Sequence, residues 1–156
     1  MPSDDPALDL ALRRKRARLL FLIGSIALLM IGLGHTIGAQ LLPALKEPPL
    51  TEAAVYTAMA LIRPLSTSQH TLHDFYVANG WAVGFCFLAF GAMGIALARA
   101  SAGREQSVPR SVVIINAAIS AACLVLAVLF YPPPPLVFLV ISTGCFVASA
   151  ALAPND

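Results

Sequence analysis

A handful of side chains in this sequence could do chemistry together. His35 sits in the run Gly-His-Thr-Ile-Gly, and His73, Asp74, Tyr76 and Asn79 crowd the start of a second apolar stretch. Ionisable groups at membrane depth are costly, and they frequently mark proton relays, transport routes or ligand sites. With Trp81 at its rim, such a set would form a small outward-facing pocket for the polar head of a lipid or quinone. The simpler role is structural. His35 would hydrogen-bond Asn79, Tyr76 or a carbonyl and fix the register of two helices, an interaction worth on the order of 0.6 kcal/mol in a membrane.

Other chemistries find less support. His70 and His73 are spaced i, i+3 with Asp74 beside them, as metal ligands on a helix could be. His70 precedes the helix start, however, and Asp74 already has work in a T-x-x-D cap with Thr71. No second acidic or cysteine ligand accompanies them, so no metal is assigned. Bis-histidine haem needs two histidines at one depth, and helical rise separates His35 from His73 by about 13 Å. Cys86, Cys123 and Cys145 lie singly in apolar runs, without the paired thiols of a redox enzyme. Ser-His-Asp sets, paired carboxylates, phosphate loops and nucleotide fingerprints do not occur. The sequence offers no catalytic motif and leaves enzymatic activity open.

The elements that would carry these residues follow from composition. Of 156 residues, 58% are hydrophobic and 12% charged, where soluble domains carry about 25% charge. So few charges cannot coat a soluble domain of this size. The expected class is all-α, an integral membrane four-helix bundle with a short surface helix between the first and second spans. Residues 1–18 form a basic cytoplasmic segment holding Arg13, Arg14, Lys15, Arg16 and Arg18, and residues 19–152 form one transmembrane domain. Spans are expected at about 19–42, 71–98, 111–131 and 136–152, with the surface helix at 51–62 and a tail at 153–156. The first apolar run is longer than a signal-peptide core, so a retained helix is expected. Residues 43–49 break the first span, Thr51 is placed to cap the surface helix, and residues 132–135 form a stiff proline turn. Tyr56, Tyr76, Trp81 and Tyr131 suit interface anchors, and Asn116 suits an interhelical hydrogen bond.

A stripe of small residues marks the second span as the expected hub. At 100° per residue, His73, Tyr76, Gly80, Gly84, Gly91, Gly94 and Ala98 fall within about 80° of one another. In the first span Gly24 and Gly38 share a face with His35, and the simplest packing sets that face against the stripe. With helix ends level at the inner surface, His35 stands near Asn79 and about two turns below His73.

Basic residues set the orientation. Five precede the first span and three lie between the second and third, against two in the first external loop and none in the second. Both termini then face the cytoplasm. The net charge of +2 is too small to suggest nucleic acid.

The runs GHTIGAQLLPAL, VYTAMA and TLHDFYVANGWAVGFCFLAFGA resemble small four-span bacterial membrane proteins, and the layout is similar to the DoxX-like group. The resemblance covers roughly residues 19–98 and implies a compact bundle in the bacterial inner membrane. It also implies kinship with subunits associated with membrane oxidoreductases, while carrying over no active site. Two functions are expected. The first is a non-enzymatic protein acting through helix contacts, as an accessory subunit or homo-oligomer in contact with membrane lipid. The second is a lipid- or quinone-type ligand site bounded by His35, His73, Tyr76, Asn79 and Trp81, with the surface helix as a lid. Transport is weaker, because few polar residues lie below Asn79 to line a path.

Overall fold

The structure is a computed structural model, and it describes residues 6–41, 50–63, 69–104, 106–130 and 133–154. Every regular element among them is helical. Helix α1 runs Pro6–Gly34 and continues as a π-helical segment, His35–Leu41; α2 is Leu50–Leu61, α3 Leu72–Gly103, α4 Arg110–Phe130 and α5 Pro133–Leu152. Four of them are long and apolar enough to cross a membrane, and α2 is the short helix between the first two. The break expected at 43–49, the anchor Tyr131 and Pro132 lie outside the described residues.

Four boundaries differ from the sequence reading. The basic stretch is itself helical, so α1 starts thirteen residues before the apolar run at Leu19. Asp9 and Arg13 pair at 2.9 Å across one turn of it. At the other end, glycines at 32, 34 and 38 and the β-branched Thr36 and Ile37 are weak α-helix formers, and the helix widens to π geometry there. Pro133, Pro134 and Pro135 belong to α5 rather than to an extended turn. Proline's fixed φ suits the first turn of a helix, where it displaces no ladder bond. Thr51 lies inside the first turn of α2, which opens at Leu50.

The chain divides into two units, residues 1–31 with 88–156, and residues 32–87. In the first unit the long helices contact one another in the order α3, α1, α5, α4. Gly91 and Gly94 of α3 lie against Leu29 and Ser25 of α1, while Gly24 of α1 faces the Phe146 ring of α5. Phe21 and Phe146, 1% and 0% exposed, meet at 5.3 Å between ring centres with the rings tilted by 51°. The contact between α1 and α5 is closed by Ser149, whose Oγ donates to the Ala17 carbonyl at 2.8 Å. Ser120 of α4 and Ser142 of α5 share a 2.7 Å hydroxyl bond, and Ser25 bonds the Phe21 carbonyl within its own helix. These four serines are fully buried.

Within this unit α1 is flanked by α3 and α5, and α5 in turn by α1 and α4. Gly24 turns to α5 instead of the stripe, since a helical wheel fixes faces and leaves partners open. Asn116 bonds the Val112 carbonyl of its own helix at 2.9 Å instead of reaching a neighbour. In an apolar span the nearest available acceptor is the carbonyl one turn back.

The second unit holds the π-helical segment, α2 and the first part of α3. The Leu72 amide donates to the Ile62 carbonyl at 2.8 Å, tying the end of α2 to the start of α3. None of the α2 side chains is buried, and Leu50, Val55 and Leu61 stand exposed, as on a helix lying at a membrane surface.

A contrast between two glycines tests the packing. A Cβ at Gly91 would lie 2.6 Å from the Leu29 nitrogen and 2.7 Å from its Cα. Backbone cannot swing aside, so Gly91→Ala should cost about 1–3 kcal/mol. Nothing stands within 4 Å of a Cβ at Gly144, and Gly144→Ala should be neutral or stabilising by up to about 1 kcal/mol. Detergent-denaturation titrations followed by helical circular dichroism would separate the two.

Candidate functional site

The local folding of the second unit starts at the cap of α3. The Thr71 amide and hydroxyl both donate to Asp74 Oδ2, at 2.8 and 2.9 Å, and the Asp74 amide donates back to Thr71 Oγ1 at 3.2 Å. This is a capping box in which aspartate takes the usual glutamate place. It answers the T-x-x-D signal in the sequence and assigns Asp74 to the helix end.

His35 is held by one contact. Its Nε2 lies 3.0 Å from the Gly80 carbonyl oxygen of α3. A carbonyl only accepts, so Nε2 carries the proton and Nδ1 is left as the other ring nitrogen. The acceptor is one residue from Asn79, the level that helical rise indicates for His35. Beside this bond, the Cα of Gly84 meets the Thr36 side chain so closely that a Cβ there would collide with the Thr36 hydroxyl, with His35 Cδ2 3.4 Å away. Thr36 Oγ1 is buried and has no hydrogen-bond partner among the described residues.

The remaining candidates do not converge on His35. Tyr56 of α2 packs edge-on against His73 at 5.4 Å and tilted against Tyr76 at 6.5 Å. Trp81 pairs with Phe85 at 5.7 Å, and Asn79 is exposed. The unit thus contains a histidine–carbonyl clasp and, separately, an aromatic cluster at the α2–α3 junction. Gly80 and Gly84 belong to the clasp, whereas Gly38 has nothing within 4 Å of its Cβ position. Among the described residues, no three of His, Cys, Asp and Glu stand close enough to share a metal ion.

Tyr56 is the member that sequence reasoning undervalued, as an anchor only. Partial burial, then the Glu52 carboxylate and Tyr76, push its phenol above the ordinary tyrosine range. It therefore stays protonated where an exposed tyrosine ionises.

A second feature, legible only with burial known, is a stripe on α3 opposite its glycines. Ala78, Ala82, Ala89, Ala92, Ala96 and Ala100 are all exposed, and they occupy a sector of about 80° at 100° per residue. Gly80, Gly84, Gly91 and Gly94 fall in the opposite sector. Exposed Phe85 interrupts this sector between Ala82 and Ala89, so its smooth part begins at Ala89, and among the described residues the glycine face is the one met by the rest of the chain.

Comparison with protein-family models, curated proteins and solved structures returns no match to this chain.

Raising a phenol's pKa on folding adds stability that is complete below the unfolded value, about 10, and is lost as pH climbs through the folded value. The α2–α3 junction should therefore loosen in alkali above about pH 10. Tyr56→Phe should remove that alkaline step from both the melting temperature and the tyrosinate absorbance. A separate check is Asp74→Ala, which should lower the melting temperature through loss of the cap, measured by the same melts.

Proposed function

We propose that this protein is a small multi-pass protein of the bacterial inner membrane that works through helix–helix contacts, as an accessory subunit or homo-oligomer. The observation that carries this reading is the exposed alanine stripe of α3. Small residues let helix backbones approach closely in lipid, where van der Waals packing drives association. The glycine side of α3 is already occupied by α1 within each unit, at Gly91 and Gly94 in one and Gly84 in the other. On the alanine side, Ala89, Ala92 and Ala96 stand exposed beyond Phe85 and offer a smooth face to a second helix. The His35 bond to Gly80 supports the same reading, because it commits the most chemically versatile side chain of the spans to a helix contact. The basic residues of α1 and of the α3–α4 connection support a cytoplasmic side for both termini. The DoxX-like likeness belongs to the proposal and rests on Gly34, His35 and the aromatic, glycine-rich α3.

A lipid- or quinone-type ligand is the competing reading, and one observation favours it. The buried Thr36 hydroxyl has no hydrogen-bond partner among the described residues and lies within a π-helical segment, a geometry often found at functional sites.

Native mass spectrometry of the gently solubilised protein separates the two. We expect the wild type to carry a second copy or a partner chain. The double variant Ala89→Trp with Ala96→Trp should lose that chain while keeping wild-type helical content. A defined small molecule that disappears in His35→Ala, with assembly intact, would overturn the helix-contact reading in favour of the pocket.

A further inference from the structure

The first unit has a half-open depression of about 180 Å³ where α3 ends and α4 begins. Its lining changes character along its length. Leu97 and Ala100 of α3 supply an apolar floor, and Ser101, Arg104, Gln106 and Ser107 supply a polar mouth. The chain is folded back to make it, with the amides of Arg104 and Gln106 both directed at the Ser101 carbonyl, at 3.3 and 3.1 Å.

We propose that this depression binds the phosphate headgroup of an anionic membrane lipid. Three observations converge. Arg104 supplies an exposed guanidinium at the mouth, making no ion pair among the described residues. Its fork of N–H donors matches phosphate oxygens. The first turn of α4 adjoins the depression through Pro109, and the first amides to bond back are those of Val112 and Val113, both to the Pro109 carbonyl. No acidic residue stands in that turn to neutralise the positive end of the helix. Finally, residues 99–110 hold Arg99, Arg104 and Arg110 against the single Glu105, which lies outside the described residues. The apolar floor selects a lipid over a free anion, because it gives the first methylenes of an acyl chain a surface that a soluble phosphate would leave bare. Basic recesses at the ends of spans suit such headgroups.

The assignment rests on the membrane reading, and the test keeps the two apart. The full-length protein is reconstituted in vesicles of equal parts phosphatidylglycerol and phosphatidylcholine, extracted mildly, and the lipids retained are counted by native mass spectrometry. The wild type should retain phosphatidylglycerol about fivefold in preference, the contribution of one basic side chain near an anionic headgroup. Arg104→Gln should abolish the preference, and Arg104→Lys should restore most of it. Arg16→Gln, which removes an exposed positive charge on the face of α1 opposite Ser25, should leave it unchanged. Equal retention of both lipids by the wild type, or an unaltered preference in Arg104→Gln, would overturn the headgroup site while leaving the membrane reading intact. Inorganic phosphate bound by lipid-free protein and displacing the lipid would replace the lipid assignment with a soluble anion. A protein that fails to enter the vesicles at all overturns the membrane reading and this site together.

Discussion

Backbone contact between α1 and α3 is the constraint on which most of the described arrangement depends. At Gly91 the space for a side chain is taken by the main chain of Leu29, and at Gly94 by the Ser25 side chain. Lipid tails are as apolar as leucine, so nothing resembling the aqueous hydrophobic effect presses these helices together. Their attraction comes from many weak dispersion contacts, each lost quickly with distance. Removing the side chain on one helix is the way to collect them. The second unit repeats the device with Gly84 and Thr36, and the His35–Gly80 bond stands directly beside that approach. The clasp therefore depends on glycine at 84 as much as on histidine at 35.

Buried hydroxyls supply what close packing leaves unspecified. Dispersion tolerates sliding by a turn, whereas a hydrogen bond across helices does not. Ser149 to Ala17 fixes α5 on α1, and Ser120 to Ser142 fixes α4 on α5. Each is modest, on the order of 0.6 kcal/mol, yet each selects one register from several that pack similarly.

Much of this was legible in the sequence because the signals are local. Apolar run length gives the four long helices, Thr71 and Asp74 announce their own cap, and the 100° wheel finds the glycine face of α3. What stayed hidden depends on partners distant along the chain. Ser149 and Ala17 are 132 residues apart, and a serine in an apolar run reads only as a small residue until its acceptor is placed. For the same reason Gly24 could be assigned to a packing face and not to Phe146. The candidate site illustrates both cases. The depth of His35 follows from helical rise, so its level near Asn79 and Gly80 was accessible. The separation of His73 and Tyr76 into a cluster with Tyr56 was not, since it depends on where α2 comes to rest. The alanine stripe was equally plain as a pattern, and burial alone distinguishes it from the glycine face.

The proline start of α5 has a consequence for where that helix can sit. An α-helix ordinarily opens with four amide hydrogens that find no carbonyl in the helix, and in hydrocarbon each such donor costs several kcal/mol. This is why helix ends usually reach the headgroups or carry a capping side chain. Pro133, Pro134 and Pro135 occupy three of those positions, and proline has no amide hydrogen to strand. The entrance to α5 is therefore nearly free of unmet donors. A helix of 20 residues, close to the shortest that spans a bilayer, can begin below the water interface with little desolvation penalty. Its length needs no help from local thinning of the membrane.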